Sequence, residues 1–351
     1  MHKILFLRPS MTLETHQKFM HRCLELAVKG LGQTAPNPLV GSVIVHNEVI
    51  IGEGYHHKFG EAHAEVNAIA AVKDQSLLSE STLYVNLEPC SHFGKTPPCA
   101  DLIISKKIKR VVIGMQDPFA KVNGAGIKKL REAGTEVIVD VLKEECEELN
   151  KRFITFHTEN RPYIILKWAQ SYDGYMGREG ENIRISNEES RMLNFQWRTE
   201  EDAVLVGSGT VIIDNPQLNV RDYPGRNPVR IILDRSGKLN DDLKIFDGTS
   251  RTIVVTTDQQ KQYKNSEVVR VNAATFIEDS LKNLHQLQIQ SVIVEGGKNI
   301  LDLFIKANLW DEARIFVGNN ELYNGIPAPI IKTENKHQTN IGDNYLFTIF
   351  N

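Results

Sequence analysis

Three side chains in the first third of the chain, His63, Cys90 and Cys99, have the types and spacing of a metal-ligand set. An imidazole and two thiols suit Zn²⁺. Three protein ligands leave a fourth position to water, which marks a catalytic rather than a structural site. Such a site lowers the pKa of bound water from about 15.7 to roughly 7. Glu65 follows the histidine closely enough to take and return protons as a general acid and base. Taken singly, either cysteine is as readily a buried thiol, and the histidine a satisfied core residue. Pro89 ahead of Cys90 and Glu65 beside His63 favour the metal reading of the set. The Gly94-Lys95-Thr96 tripeptide is not a phosphate loop, because the position where a Walker loop needs its first glycine is Pro89.

The second half carries weaker chemical signals. Residues 161–351 contain no Gly-x-Gly-x-x-Gly, so the standard dinucleotide fingerprint is absent. Two strand exits do end in glycines, Val204–Thr210 and Ile293–Gly297. Glycines at a helix start let phosphates reach backbone N–H groups at the positive end of the dipole. A plain turn explains either one alone.

Apolar periodicity places these groups on elements. Thr15–Gly30 reads as an amphipathic helix, and Gly41–Val45 with Val49–Gly54 as a hairpin around His46-Asn47-Glu48. A helix at His63–Lys73 is followed by strand Thr82–Leu87, helix Cys99–Lys107, strand Arg110–Met115, helix Gly124–Ala133 and strand Glu136–Val139. Strand–helix alternation of this kind predicts an α/β sandwich with a largely parallel sheet. A charged helix, Leu142–Thr158, ends before Arg161-Pro162, where the domain boundary is placed. Beyond it come strand Tyr163–Lys167, helix Asn187–Arg198, and strands Ala203–Val206, Val229–Leu233 and Thr252–Thr256. Helix Phe276–Gln286, strand Ser291–Val294 and helix Asn299–Asn308 complete the pattern. Two domains are expected, 11–158 and 161–351.

Composition narrows the partners. With 41 basic and 44 acidic residues the formal charge is −3, which gives no general pull toward nucleic acid or an anionic membrane. No apolar run has the length of a membrane span, and Ile4–Leu7 is too short for a signal-peptide core. Met11 is a candidate start, since a helical pattern follows it. Four cysteines are too few for a disulfide scaffold, and Cys23 and Cys146 read as packing residues. These features predict a cytoplasmic enzyme without membrane or nucleic-acid partners, and leave a homo-oligomer open.

The string from Pro89 to Cys99, Pro-Cys-Ser-His-Phe-Gly-Lys-Thr-Pro-Pro-Cys, makes the resemblance specific. Zinc nucleobase deaminases pair a His-x-Glu with Pro-Cys-x-x-Cys, whereas here eight residues separate the cysteines. That spacing, with Pro36-Asn37-Pro38, Val40-Gly41 and Gly54-Tyr55-His56, resembles the deaminase half of the bifunctional riboflavin-biosynthesis family. The second half resembles the reductase half of that family through Lys167–Gly174, Gly209-Thr210-Val211, Asp214-Asn215-Pro216, Leu218–Arg221 and Glu295-Gly296-Gly297.

The resemblance implies a cytidine-deaminase-like α/β/α domain followed by a dihydrofolate-reductase-like α/β domain. It implies Zn²⁺ on His63, Cys90 and Cys99, with Glu65 moving protons to a ring nitrogen and departing ammonia. Asn37 and His56 would line the pyrimidine pocket, with Lys95 and Thr96 close to the substrate. NADPH would lie on Ala169, Thr210, Asp214 and the turn Gly297, Lys298, Asn299, Ile300 and Leu301. Arg198, Leu218, Arg221 and Glu295 would face a phosphorylated ribosylaminopyrimidine.

Some positions depart from the family pattern. Phe119-Ala120 follow Asp117-Pro118 in place of an Asn-Pro, while Gly124 and Gly126 are kept for a tight turn. Asn182-Ile183-Arg184 replaces a Ser-x-Trp. Asn182 can keep the serine's hydrogen bond to substrate, and Arg184 can stack on the cofactor or pair with its phosphates. Gln170 stands where a small or apolar residue is usual. His92 is read equally as a substrate neighbour or a local cap. A nucleic-acid deaminase with an accessory domain shares the His-x-Glu and Pro-Cys elements, but the acidic charge and the cysteine spacing oppose it. A catalytically dead zinc scaffold would have no use for Glu65.

Overall fold

The computed structural model describes residues 12–91, 97–119, 123–181, 183–333 and 335–351. Met11, His92, Lys95, Thr96, Ala120 and Asn182 lie outside the described residues. The chain divides into two compact units, Met1–Thr158 and Glu159–Asn351. No helix among the described residues is long and apolar enough to cross a membrane.

The first unit is a three-layer sandwich. Helix α1 (Leu13–Val28) starts at Thr12, whose hydroxyl accepts from Thr15 N. Strands β1 (Gly41–His46) and β2 (Val49–Tyr55) form the hairpin; its turn residues Asn47 and Glu48 have φ of 47° and 63°, the left-handed geometry of a tight two-residue turn. Then come α2 (Ala64–Ala71), β3 (Thr82–Leu87), α3 (Cys99–Ser105), β4 (Arg110–Met115), α4 (Ala125–Glu132) and β5 (Glu136–Ile138). The strands lie in the order β2-β1-β3-β4-β5.

The sheet is mixed rather than largely parallel. β3, β4 and β5 run parallel, but β1 is antiparallel to both neighbours. The reason is the hairpin: β2 turns back on β1, and the crossover through α2 then sets β3 down on the far side of β1. Both faces are covered, so consecutive strand residues are buried alternately in two cores. Leu83, Val85, Val111 and Ile113 meet α2, α3 and α4. Tyr84, Val112 and Met115 meet α1 and Cys146.

The helix expected over Leu142–Thr158 is two, α5 (Lys143–Leu149) and α6 (Lys151–Thr158), broken at Asn150. That asparagine is buried, and its amide holds both backbone groups of Leu39, accepting from the N–H at 2.8 Å and donating to the carbonyl at 3.0 Å. Asn86 donates to the same carbonyl and accepts from Gly41 N. Two asparagines therefore clamp the lead into β1, just after Asn37.

The second unit is built on nine strands. These are β6 (Tyr163–Gln170), β7 (Ala203–Gly207), β8 (Val229–Leu233), β9 (Thr252–Thr256), β10 (Glu267–Arg270), β11 (Ser291–Gly296), β12 (Glu312–Val317), β13 (Lys336–Ile341) and β14 (Asn344–Phe350). Their order is β10-β9-β8-β7-β11-β6-β12-β14-β13, with parallel pairing from β10 through β12 and an antiparallel hairpin at the far edge. Four helices belong to it: α7 (Glu188–Glu200), α8 (Ser208–Asp214), α9 (Phe276–Gln286) and α10 (Lys298–Ala307). Sequence periodicity does not reveal α8, β10, β12, β13 or β14. β12 hides because it is fully buried yet carries Glu312 and Arg314, which satisfy one another at 2.7 Å.

Asn150→Ala should remove both hydrogen bonds to Leu39 and leave its N–H without an acceptor, a loss of about 1–3 kcal/mol. Urea unfolding should show the first unit's transition moved to lower denaturant and the second unit's unchanged.

Candidate metal centre and cofactor cleft

His63, Cys90 and Cys99 converge from three separate places in the first unit. His63 precedes α2 as its N-cap residue, Cys99 opens α3, and Cys90 lies in the segment leaving β3. Gly54 allows α2 to come down on β2: a Cβ there would meet Ala68 N at 2.4 Å and Ala64 O at 2.7 Å. His63 Nδ1 stands 3.3 Å from Cys99 Sγ and 3.6 Å from Cys90 Sγ, and the three donor atoms all lie within 4.8 Å of one another. Tetrahedral zinc with its usual Zn–S and Zn–N bonds needs donor separations of about 3.5–3.8 Å. The residues therefore fit the metal. Cys99 N also donates to Cys90 Sγ at 3.3 Å. Hydrogen bonding from Cys99, opposed by burial and aided by His63, holds the Cys90 thiol below the ordinary cysteine range.

Glu65 sits in the first turn of α2 with 3% of its surface exposed. Burial, reinforced by the charge on Cys90 and opposed by His63, pushes its carboxyl up to about 7. A group poised there exchanges protons readily near neutrality.

Beside the donors, His56 is buried edge-on to His63, with ring centroids 5.5 Å apart. Its Nδ1 faces the Ala62 carbonyl at 3.0 Å and so carries the proton. Its Nε2 then accepts from Asn37 Nδ2 at 2.9 Å. Burial lowers the His56 pKa, which keeps the ring neutral. This fixes the Asn37 amide with its oxygen available to a heterocycle.

In the second unit the two glycine-bearing exits are neighbours. β7 and β11 pair in parallel with Val206 opposite Gly296. A Cβ on Gly207 would lie 2.7 Å from the Ile300 side chain, and one on Gly297, whose φ is +73°, would lie 2.9 Å from Thr210 Oγ1. Gly207, Thr210, Gly297 and Ile300 therefore meet at the carboxyl ends of adjacent parallel strands, where open α/β sheets bind ligands. No side chain caps α10, so the N–H groups of its first turn are left to an anion. This cradle fits a dinucleotide pyrophosphate.

Other expected contacts are placed less directly. Ala169 is half-buried on β6 opposite Phe316, and Asp214 and Asn299 are exposed at helix ends. The Lys298 ammonium pairs with Asp302. Leu301, expected at the cofactor, instead points into the core with no surface exposed, and its N–H donates to the Gly297 carbonyl at 3.2 Å. Leu218 is likewise buried, with φ of +52°. Arg184 is exposed and bound to Glu188 at 2.7 Å and to the Ser186 carbonyl. Gln170 has a local explanation, since its side-chain oxygen accepts from the Trp168 indole at 2.8 Å.

Arg198 is not a free phosphate ligand. Its guanidinium grips Glu295 through two hydrogen bonds of 2.8 Å and donates to the Asn219 carbonyl at 2.9 Å. Arg221, by contrast, is exposed. Lys167, passed over as a site residue, places its ammonium 3.9 Å from Glu295, and burial lowers its pKa. Glu88, also passed over, lies buried at the end of β3. For Lys167 the sequence signals are a charge at the end of an apolar strand and its place in the Lys167–Gly174 string; for Glu88 the signal is a charge directly between a buried strand and Pro89-Cys90.

Burial pushes the Glu295 carboxyl up, but Arg198 and then Lys167 outweigh it and bring it down to about 2. A carboxyl lowered from its ordinary 4.5 contributes stability that is complete above pH 4.5 and lost as the pH falls toward 2. Unfolding of the second unit followed against pH should show that acid loss. Arg198→Leu should strand Glu295 and cost about 3–5 kcal/mol at pH 7, measured by urea unfolding.

Comparison with known proteins agrees with this geometry. Residues 13–115 match the family model of the cytidine and deoxycytidylate deaminase zinc-binding region, and residues 162–319 match that of the RibD C-terminal domain. The riboflavin biosynthesis protein RibD of Aquifex aeolicus (strain VF5) is 41% identical over 323 residues, 90% of each chain. That of Bacillus amyloliquefaciens is 41% identical over 310 residues, 85% of this chain and 83% of the relative. A crystal structure of a diaminohydroxyphosphoribosylaminopyrimidine deaminase/5-amino-6-(5-phosphoribosylamino)uracil reductase from Thermotoga maritima superposes with a TM-score of 0.88 at 38% identity, covering 96% of this chain and 99% of that one. RibD of Acinetobacter baumannii superposes with a TM-score of 0.87 at 31% identity, covering 97% and 99%. With a metal-binding His–Cys–Cys group in one unit and a glycine-lined cleft in the other, the chain belongs to the RibD family of bifunctional deaminase–reductases of riboflavin biosynthesis.

Proposed function

We propose that residues 11–158 deaminate 2,5-diamino-6-ribosylamino-4(3H)-pyrimidinone 5′-phosphate and that residues 161–351 then reduce its ribosyl group to ribityl. The observation that carries the first step is the buried Glu65 beside three donor atoms spaced for one zinc ion. His63, Cys90 and Cys99 hold the metal. Zinc, when bound, supplies Lewis-acid activation of water near neutral pH. Asn37, oriented by His56, holds the pyrimidine edge. Glu65 takes one proton from the attacking water and gives it to the ring nitrogen, then carries the second, from the new hydroxyl, to the amino group that leaves as ammonia. The C–N bond breaks and a C=O group takes its place. Lys95 and Thr96 are assigned to substrate binding, with the Lys95 ammonium suited to phosphate.

In the second unit, bound NADPH would supply hydride to ribose C1′ as the C1′–O4′ bond opens and the ring oxygen takes a proton. Thr210, Asp214 and the backbone of Gly297, Lys298, Asn299 and Ile300 would hold the dinucleotide, with Ala169 beside it. Arg221 meets the phosphate of the substrate, because an exposed guanidinium binds phosphate oxygens in pairs. Glu295, held ionised and oriented by Arg198, faces the ribose, and Asn182 is also assigned to substrate binding. The protein works in the cytoplasm on this small phosphorylated substrate, without nucleic-acid partners and with self-association allowed.

Glu65→Gln should lower ammonia release by about 10²–10⁴-fold, keep its zinc, and reduce pre-deaminated substrate at the normal rate. A zinc-loaded wild-type protein that releases no ammonia and oxidises no NADPH would remove the proposal. Arg221→Ala should raise the KM of the reduction about tenfold or more and leave ammonia release unchanged, a loss in the range of a charged hydrogen bond.

A further inference from the structure

Of the three donors, two are carried by helices, His63 at the start of α2 and Cys99 in α3. Cys90 has no helix or strand of its own. The segment that leads to it is fixed by Glu88, buried at the end of β3. Glu88 N donates to the Met115 carbonyl of β4 at 3.0 Å. Its carboxylate accepts from four backbone N–H groups of the connection between β4 and α4. Oε2 takes Asp117 at 3.2 Å and Gly124 at 2.9 Å; Oε1 takes Gly126 at 2.8 Å and Ile127 at 3.1 Å. The N–H groups of Gly124, Gly126 and Ile127 belong to the N-terminal end of α4, and a carboxylate there also meets the positive end of the helix dipole. Four donors engage both oxygens, so the Glu88 carboxylate is fixed in orientation.

The same contact places Pro89. A Cβ on Gly126 would lie 2.0 Å from the Pro89 carbonyl oxygen, so that peptide rests directly on the first turn of α4. From there the chain runs straight into Cys90, whose carbonyl accepts from Ala100 N at 3.1 Å and whose sulfur accepts from Cys99 N. Between the anchored Pro89 peptide and α3, the Cys90 sulfur has little freedom.

We propose that Glu88 is a positioning residue for the metal centre: its carboxylate pins the Pro89–Cys90 peptide to the α4 N-terminus and so delivers the Cys90 sulfur at ligand distance from His63 and Cys99. This rests on the reading of those three residues as the zinc ligands. Partners that hold metal ligands from behind are typically worth about 10–100-fold in metal affinity.

Glu88→Gln keeps the shape but turns an NH₂ group toward donors. The full-length variant should bind zinc about 10–100-fold more weakly in competition with a chromogenic chelator. Its cobalt-substituted form should show a weakened thiolate-to-cobalt charge-transfer band. Its kcat for ammonia release should fall with KM little changed, and its reduction of pre-deaminated substrate should keep the wild-type rate. Gly126→Ala pushes the same peptide without touching the carboxylate and should reproduce all of these effects. A folded variant of either kind with wild-type zinc affinity and cobalt spectrum overturns the proposal. So does loss of the folded first unit in both, because the contacts would then hold the fold rather than the cysteine. If the wild-type protein itself binds no zinc, the ligand assignment falls and this proposal with it; zinc on the wild type and equally on both variants removes this proposal alone.

Discussion

Two thiols and an imidazole, delivered by three different stretches of chain, must stand within 4.8 Å of one another with a buried carboxylate at their side. Such a gathering of polar groups is costly to bury unless each is held by partners. The first unit reads as a set of answers to that requirement. The β2–α2–β3 crossover straddles β1 and brings the His63 end of α2 over the carboxyl end of β3. Close glycine contacts let helix and strand backbones approach further than any side chain would permit. Main-chain N–H groups, from Cys99 toward Cys90 and from α4 toward Glu88, supply the positive ends of dipoles where negative charge collects.

The second unit solves a different problem by different means. Its ligand-binding surface is mostly backbone: two glycine turns on neighbouring parallel strands and an uncapped helix start. The charged residues around it are largely committed to one another. Arg198 and Lys167 place two cations on the one carboxylate of Glu295, and the value of this cluster is orientation. Arg198, expected from the resemblance to face the substrate, holds that carboxylate with two hydrogen bonds.

That difference explains what could be read in the sequence. The metal centre is written in local strings of chemically distinctive residues, and His63, Glu65, Cys90 and Cys99 are recognisable from type and spacing alone. The strands that carry them show uninterrupted apolar runs, so β3 and β4 have the bounds that periodicity predicts. The cofactor cleft leaves only glycines as its trace, and a glycine turn has many ordinary causes; there the family resemblance did most of the work. β12 was obscured because its Glu312 and Arg314 are buried as a pair, and a one-dimensional pattern counts each as exposed. The direction of β1 was lost for a similar reason, since strand–helix alternation describes the crossover but not the strand it straddles. The break at Asn150 depends on Leu39, a partner 111 residues away that no local window contains.

Glu65 and Glu88, two of the buried carboxylates of the first unit, show how far burial alone can mislead. Glu65 and Glu88 are equally hidden, each with 3% of its surface exposed, and each lies within two residues of a metal donor. What separates them is the supply of donors. Glu88 receives four backbone N–H groups, which hold its carboxylate in one orientation. For Glu65 desolvation outweighs the hydrogen bonds that reach it, so its carboxyl rises to about 7, where taking and losing a proton are nearly balanced. One arrangement fixes a carboxylate in place and the other leaves it able to exchange a proton. A buried acid is therefore a catalytic candidate when its surroundings withhold fixed donors, and the same residue type two positions before the next ligand is a candidate for architecture when they provide them.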